Sequence, residues 1–368
     1  MIEQHFGESA PWSLGIEEEV MILDGETFLP SPAVSVLVGE GEGTKLPGRL
    51  KTELFAWVVE LTTGVCESVG EAIEAIRQVR AGADEIARGH GLRIAAAGSH
   101  PITRPEEQEI APDQRYLEFV EYAGISALRQ GVNGLHVHVG MPSAEACMQA
   151  LEGVLPWLPL VLALSANSPY LVGEETGLAS NRAEILAQLP RHGAPPVFAS
   201  YAEWEEFVER FVDLGLADDY TRFWWDVRPH PHFGTLEIRM PDQPTELQLT
   251  GAFAALIQAL CVAVLERPRP PLDPPARGIY AQNRWAALRF GPRAELVHPD
   301  GDRLATVPEL ARELRDLVAP AAAELGTTDL LEPLDGAGCE GDRQLELGRA
   351  EGLTAVCADL AERTVRSL

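Results

Sequence analysis

Three short segments carry ionisable residues at i, i+2 between apolar neighbours: Glu17 and Glu19 in SLGIEEEV, His136 and His138 in GLHVHVG, and Glu237 and Arg239 in TLEIRM. Side chains of an extended chain alternate between faces. Each segment therefore offers one apolar face for packing and one ionisable pair on the other side. If the three polar faces belong to one sheet surface, all six groups meet in one concavity. Carboxylates side by side are costly without cations, and divalent metal ions remove that cost. An oxygen-rich set with one histidine suits Mg²⁺ or Mn²⁺ better than Zn²⁺. Glu53 and Glu60 are further carboxylate candidates. Their odd spacing puts them on opposite faces of a regular strand, so both reach the site only if the backbone bends or bulges between them. His230-Pro-His232 falls in a Pro-rich turn and reads as a loop feature. A single pair reads equally well as a solvated strand face; recurrence in three segments carries the chemical reading.

The elements that must position these residues follow from periodicity. Residues 13–24 read as a strand ended by Asp24-Gly25, about 52–62 as a second extended stretch, and 92–98, 134–140 and 235–240 as further strands. Helical spacing covers 70–89. An apolar helix starts at Ser143 and is disturbed by Pro156 and Pro159. Ser200 to Glu203 is a capping-box pattern opening a helix to about Leu214, and Thr245 to Gln248 reads as the cap of a long helix ending near Glu266. Residues 267–277 are too proline-rich for helix or central strand and read as a connector, and residues 302–368 as a helical, acidic end. Strands of alternating polarity imply a sheet buried on one face and hence largely antiparallel. The expected class is α+β: a curved, largely antiparallel sheet flanked by helices, with residues 1–368 forming a single catalytic domain.

Composition narrows the partners. The chain has 56 acidic and 29 basic residues, a formal net charge of -27. Such a surface repels phosphate backbones and anionic membranes, so neither nucleic acid nor membrane is expected. Metal ions and a few placed arginines still allow a small anion such as ATP. The 5 cysteines are odd in number and none forms a C-x-x-C pair, which reads as reduced thiols in a cytoplasmic setting. The first residues show no basic segment followed by an apolar core. The longest uncharged run, Leu247 to Leu265, is broken by Gln248, Thr250, Gly251 and Gln258 and reads as a buried helix. The glycines of GEGEG (39–43) precede Thr44-Lys45, which does not match a P-loop, and no G-x-G-x-x-G or G-x-S-x-G follows a strand. Metal ions and arginines would have to hold any bound triphosphate.

The segments SLGIEEEV, AAAGSHP, DQRY, GLHVHVG, ALSANSPY, TGLASNR, FWWDVRP, TLEIRMPD and NRW occur in that order from about Ser13 to about Gly291. As an ordered series they resemble the glutamate–cysteine ligase type 2, or YbdK-like, carboxylate–amine ligases. The resemblance implies a fold related to glutamine synthetase and the guanidino kinases. It implies ATP-dependent amide formation, γ-glutamyl in type, through an acyl phosphate, with ATP and Mg²⁺ as cofactors. It also implies a glutamate-like carboxylate and an amino acid amine as substrates, and a homodimer. By the same likeness the metal ligands are Glu17, Glu19, Glu53, Glu60, His136 and Glu237. Arg239 is implied as the phosphoryl contact and Arg182 as a group for phosphate or substrate carboxylate, with Arg115, Arg228 and Arg284 as weaker carry-overs. Two rivals stay open: a zinc-dependent hydrolase using His136 and His138, and a non-catalytic binding protein on the same fold.

Overall fold

The alternation in SLGIEEEVMILD makes Leu14–Asp24 a strand, β1, of 11 residues. The computed structural model describes residues 2–269, 273–335 and 338–368. Around β1 assemble β2 (Gly48–Thr52), β3 (Val58–Thr63), β4 (Leu92–Ala95) and β5 (Leu135–Gly140). A small hairpin, β6 (Tyr170–Leu171) with β7 (Glu174–Glu175), lies apart. The main sheet is completed by β8 (Val227–His230) and β9 (Thr235–Ile238), in the order β2-β3-β1-β5-β9-β8, with β4 also paired to β1. Every pairing in it is antiparallel, as the polarity pattern predicts.

Register turns the separate segments into cross-strand rows. Lys51 faces Glu60 and Glu60 faces Glu19. Arg49 faces Thr62, Thr62 faces Glu17, and Glu17 faces His136. His138 faces Glu237, which faces Arg228. Residues directly opposite on one face have Cβ atoms about 5 Å apart, so the ionisable pairs of β1, β5 and β9 share one wall.

The opposite face is the core. Leu14, Ile16, Val20 and Ile22 of β1 join Val137, Leu236 and Ile238 there, all buried. The helices Val69–Gly89 and Leu247–Leu265 both pack on that face and against each other, the first on β1 to β3 and the second on β5. The latter is apolar on all sides, as a helix surrounded by protein must be. It and the span Ala144–Ser165 are long and apolar enough to cross a membrane, yet 83% and 78% of their windows are buried inside the fold. All five cysteines are free.

One residue on the apolar face breaks the pattern. Glu18 is fully buried and meets the equally buried Arg80, whose Nε and Nη2 donate to its carboxylate at 2.5 and 2.7 Å. Thr250 and Gln243 also donate to Glu18. The rest of the Arg80 guanidinium donates to the carbonyls of Pro244, Thr245 and Thr364. Every charged atom of the pair is thereby satisfied, as burial requires.

Several boundaries differ from the sequence reading. The stretch 52–62 is two strands joined by a turn over 53–57, which is why Glu53 and Glu60 can lie together despite their spacing. The last strand stops at Ile238, where the Arg239 amide turns to the carbonyl of Asp226. Thr245 does not cap the long helix. Its hydroxyl donates to the carbonyl of Ala96, and the Glu340 carboxylate accepts the amides of Thr245 and Glu246 instead. Of the connector 267–277, residues 270–272 lie outside the described residues, and a helix already begins at Ala276. The end of the chain carries helices Val307–Glu324, Glu340–Glu351 and Leu353–Thr364, but Leu304–Thr306 pairs with Glu295–Val297 as a short hairpin.

Removing one partner of a satisfied buried ion pair strands the other charge. Arg80→Met is expected to lower the unfolding free energy by about 3–5 kcal/mol. The double change Glu18→Leu with Arg80→Met should recover part of that loss. Urea denaturation of the variants checks both, and a loss below about 1 kcal/mol for the single change would contradict the role given to the pair.

Candidate functional site

The polar wall of the sheet floors a cleft made of three adjoining hollows of about 900, 800 and 620 Å³, all of which include Glu17. Glu53, Glu60, Arg115 and Tyr116 line two of the three, and Glu19, His136, Arg182, Arg228 and Arg239 line one of those two, the hollow of about 620 Å³.

The carboxylates and imidazoles are close together. His136 Nδ1 lies 3.2 Å from Glu17 Oε2, and His136 Nε2 lies 3.7 Å from Glu19 Oε1. His138 Nε2 lies 3.6 Å from Glu17 Oε1, while its Nδ1 meets the Thr235 hydroxyl at 3.0 Å. Glu237 is gripped from both sides, at 2.5 Å by Arg228 Nε and at 2.5 Å by an Arg239 nitrogen.

These contacts push the titrating groups apart. Burial raises the Glu53 carboxyl, and the charge of Glu19 adds to it, to about 7. Burial, then Glu17 and Glu53, raise Glu60 well above the carboxylate range. Burial also pushes Glu17 upward, but hydrogen bonds from His136 and His138 outweigh it and hold that carboxyl well below its usual range. Burial opposes the ionised form of Glu237 too, and the arginines at 228 and 239 more than reverse the effect. Burial and the neighbouring Arg239 keep His136 below its ordinary value, so its ring is neutral near pH 7.

Two observations test whether this set suits a divalent cation. Glu17, His138 and Glu237 each offer one ligand atom, and the three atoms lie within 4.8 Å of one another. The Nε2 atoms of both His136 and His138 are buried without a hydrogen-bond partner among the described residues. A buried imidazole nitrogen that faces a carboxylate without a partner from the chain suits a cation shared between the two groups. Oxygen donors outnumber nitrogen donors, which fits Mg²⁺ or Mn²⁺.

The arginines divide. Arg239 lines the cleft. Arg182 is buried behind it and donates to the carbonyls of Arg239 and Met240; a side chain at Gly134 would run into its guanidinium. Arg228 also donates to the carbonyls of Thr221 and Phe223, so it braces the wall from within. Arg284 does not line the cleft. It is buried against Asp226 and the carbonyl of Ala183, and Asp226 in turn receives the Arg239 amide. Arg115 sits at the rim, paired with Asp113 and largely exposed.

Sequence reasoning passed over three features. His138 stands beside Glu17 and Glu237 and shares their ligand geometry, and no spacing rule separates it from His136 on the same face. His230 is buried, with its ring 5.3 Å from that of His138 and stacked on Phe233 at 4.2 Å. The loop reading of His230-Pro-His232 is thus corrected for His230, which ends β8 inside the site's wall. Finally, Arg49-Leu50-Lys51 repeats the ionisable–apolar–ionisable pattern on β2, with Leu50 buried and Lys51 3.0 Å from Glu60. That signal was legible in the chain.

The architecture is shared with solved amide-forming enzymes. A crystal structure of glutamate–cysteine ligase from Francisella tularensis, in complex with AMP, matches with a TM-score of 0.72 at 14% identity, over 97% of this chain and 89% of the other. A bifunctional glutathione synthetase from Pasteurella multocida matches with a TM-score of 0.69 at 15% identity, over 96% of this chain and 52% of the other. Those likenesses establish the fold. Residues 13–350 match the model of glutamate-cysteine ligase family 2. A Rubrobacter xylanophilus protein provisionally named glutamate–cysteine ligase 2-3 is 39% identical over 99% of this chain and 100% of its own length. One from Herpetosiphon aurantiacus, provisionally named glutamate–cysteine ligase 2, is 34% identical over 97% and 94%. The chain belongs to glutamate-cysteine ligase family 2.

The raised carboxyls give a signed pH dependence. Between about pH 4.5 and about pH 7 the folded, metal-free chain keeps a proton on Glu53 that the unfolded chain has released. The contribution of Glu53 to stability therefore falls as pH rises through that window, while the buried His100, His136 and His230, whose values burial lowers, contribute with the opposite slope. Glu17 and Glu237, held below the ordinary range, contribute only at more acid pH. Thermal unfolding of metal-free protein should show wild type losing stability relative to Glu53→Gln as pH rises from about 4.5 to about 7, and added Mg²⁺ should restore wild-type stability on the alkaline side. A profile that Mg²⁺ leaves unchanged at every pH would argue against a cation site.

Proposed function

We propose that this chain is an ATP-dependent carboxylate–amine ligase that forms an amide, γ-glutamyl in type, through an acyl phosphate. The substrate carboxylate attacks the γ-phosphate of ATP, giving the acyl phosphate and ADP; an amine then attacks the activated carbonyl and phosphate leaves. The observation that carries this reading is the convergence of Glu17, His138 and Glu237 beside Arg239, in a cleft also lined by Glu19, Glu53 and Glu60. Family membership supports it, as does the naming of relatives as glutamate–cysteine ligases.

Phosphoryl transfer needs positioning and neutralisation of charge more than covalent help. Bound Mg²⁺ would neutralise phosphate oxygens and the charge that develops in flight. The protein supplies the rest. Arg239 presents a planar fork to the transferred group, and Glu237 fixes that fork from one side at 2.5 Å. Arg228 holds Glu237 in turn, and Arg182 holds the backbone carbonyl of Arg239. Side chain and main chain of Arg239 are thus both tethered, which limits reorganisation at the moment of reaction. His136, neutral and next to Arg239 at 3.3 Å, adds no competing positive charge.

A screen for ADP release with amino acid pairs tests the assignment. ADP is expected only when Mg²⁺ or Mn²⁺, a carboxylate and an amine are all present. Glu237→Ala, which frees both arginines, should cut turnover at least about a hundredfold while the protein stays folded by circular dichroism. Tightly held zinc together with turnover that ignores ATP would instead favour a hydrolase built on His136 and His138. A wild-type protein with no turnover in any combination would favour a binding role.

A further inference from the structure

The cleft lacks every familiar phosphate-binding loop, so recognition of a nucleotide must come from its side chains. Few of them are free. Among the arginines that line it, Arg115 holds Asp113, Arg222 holds Asp218, Arg228 and Arg239 hold Glu237, and Arg182 holds two carbonyls. Arg49 differs. It lines two of the hollows, is exposed, and has no hydrogen-bond or ion-pair partner among the described residues. Its strand places it in the same cross-strand row as Glu17 and His136.

The aromatic residues sort in the same way. Trp224 lies between Phe119 at 5.2 Å and the Arg191 guanidinium at 5.6 Å. Tyr116 has Arg115 over its ring and spends its hydroxyl on the carbonyl of Thr52. Phe233 remains 48% exposed. It lines the same two hollows as Arg49. His230 backs its ring at 4.2 Å with an interplanar angle of 10°, and that imidazole is itself buried. The His232 ring leans against that of Phe233 at 5.3 Å and 48°. A half-exposed ring backed by a stacked, buried partner can serve as a stacking platform. It also sits 5.6 Å from the ring of His138, at the edge of the carboxylate cluster.

We propose that Phe233 and Arg49 recognise the nucleotide: the purine lies on the open side of Phe233, and Arg49 meets the phosphates where they approach Glu17 and its neighbours. The pair joins the apolar and the anionic ends of one ligand across a hollow of about 800 Å³, a volume within the usual range for such ligands. In a chain of net charge -27, an unpaired guanidinium at the mouth of an acidic cleft also gives an incoming polyphosphate a favourable local field.

This inference rests on the ligase reading, and the test separates the two. Titration calorimetry on the full-length protein in Mg²⁺ uses two probes, ADP and inorganic tripolyphosphate. Phe233→Leu should raise the Kd for ADP at least about fivefold and leave that for tripolyphosphate unchanged, with Phe233→Trp restoring the ADP value. Arg49→Gln should weaken both probes. If wild type binds ADP but both variants match it within about twofold, the inference falls and the ligase reading stands. Equal weakening of both probes by Phe233→Leu would also overturn the stacking role. A wild type that binds no ADP would sink both.

Discussion

Like-charge crowding on one sheet surface is the constraint to which this structure answers. Three strands bring Glu17, Glu19, Glu60 and Glu237 onto one wall, and the turn after β2 adds Glu53. Water dissipates little of this charge, because Glu60 and Glu237 are buried and the other three are half-buried. The fold responds in three ways. Two arginines clamp Glu237. Two imidazoles stand against Glu17. Lys51 reaches Glu60 from the edge strand. Among the described residues no such cation lies within hydrogen-bond reach of Glu53, and its carboxyl moves up to about 7. On the proposed reading, bound cations would supply the compensation that the chain's own side chains do not.

Position in the row decides each residue's role. Arg239 and Arg228 flank the same carboxylate and both line the cleft, yet only Arg228 is also spent on main-chain carbonyls. Arg182 and Arg284 lie a layer further back. They act through the backbone around Arg239, one on its carbonyl and the other through Asp226 on its amide. A chain that presents one guanidinium with little freedom thus uses three more to fix it.

Much of this was legible in the sequence because strand alternation is a strict rule. The three ionisable pairs, the antiparallel class and the convergence of Glu17, His136 and Glu237 all follow from period two. What was not legible depends on distant partners. Nothing local to TELQ shows that Glu340 will take the amides at that helix start. Nothing in GIEEEV shows that the middle glutamate will find Arg80 some 62 residues later. The division of labour between His136 and His138 is set by Thr235 and Arg239, which lie outside their strand. The RLK pattern of β2, by contrast, obeyed the same alternation rule and stood in plain view.

The three consecutive glutamates of β1 face opposite worlds. Glu17 and Glu19 answer to whatever occupies the cleft, whereas Glu18 answers to Arg80 and, through it, to the main chain at Thr364 near the end of the polypeptide. A neutral replacement at 18 alone leaves a guanidinium stranded in the core, and one at 80 alone leaves a carboxylate. The two positions therefore drift only as a unit, and a graft of β1 into another scaffold would fail unless its hidden counterpart travelled with it.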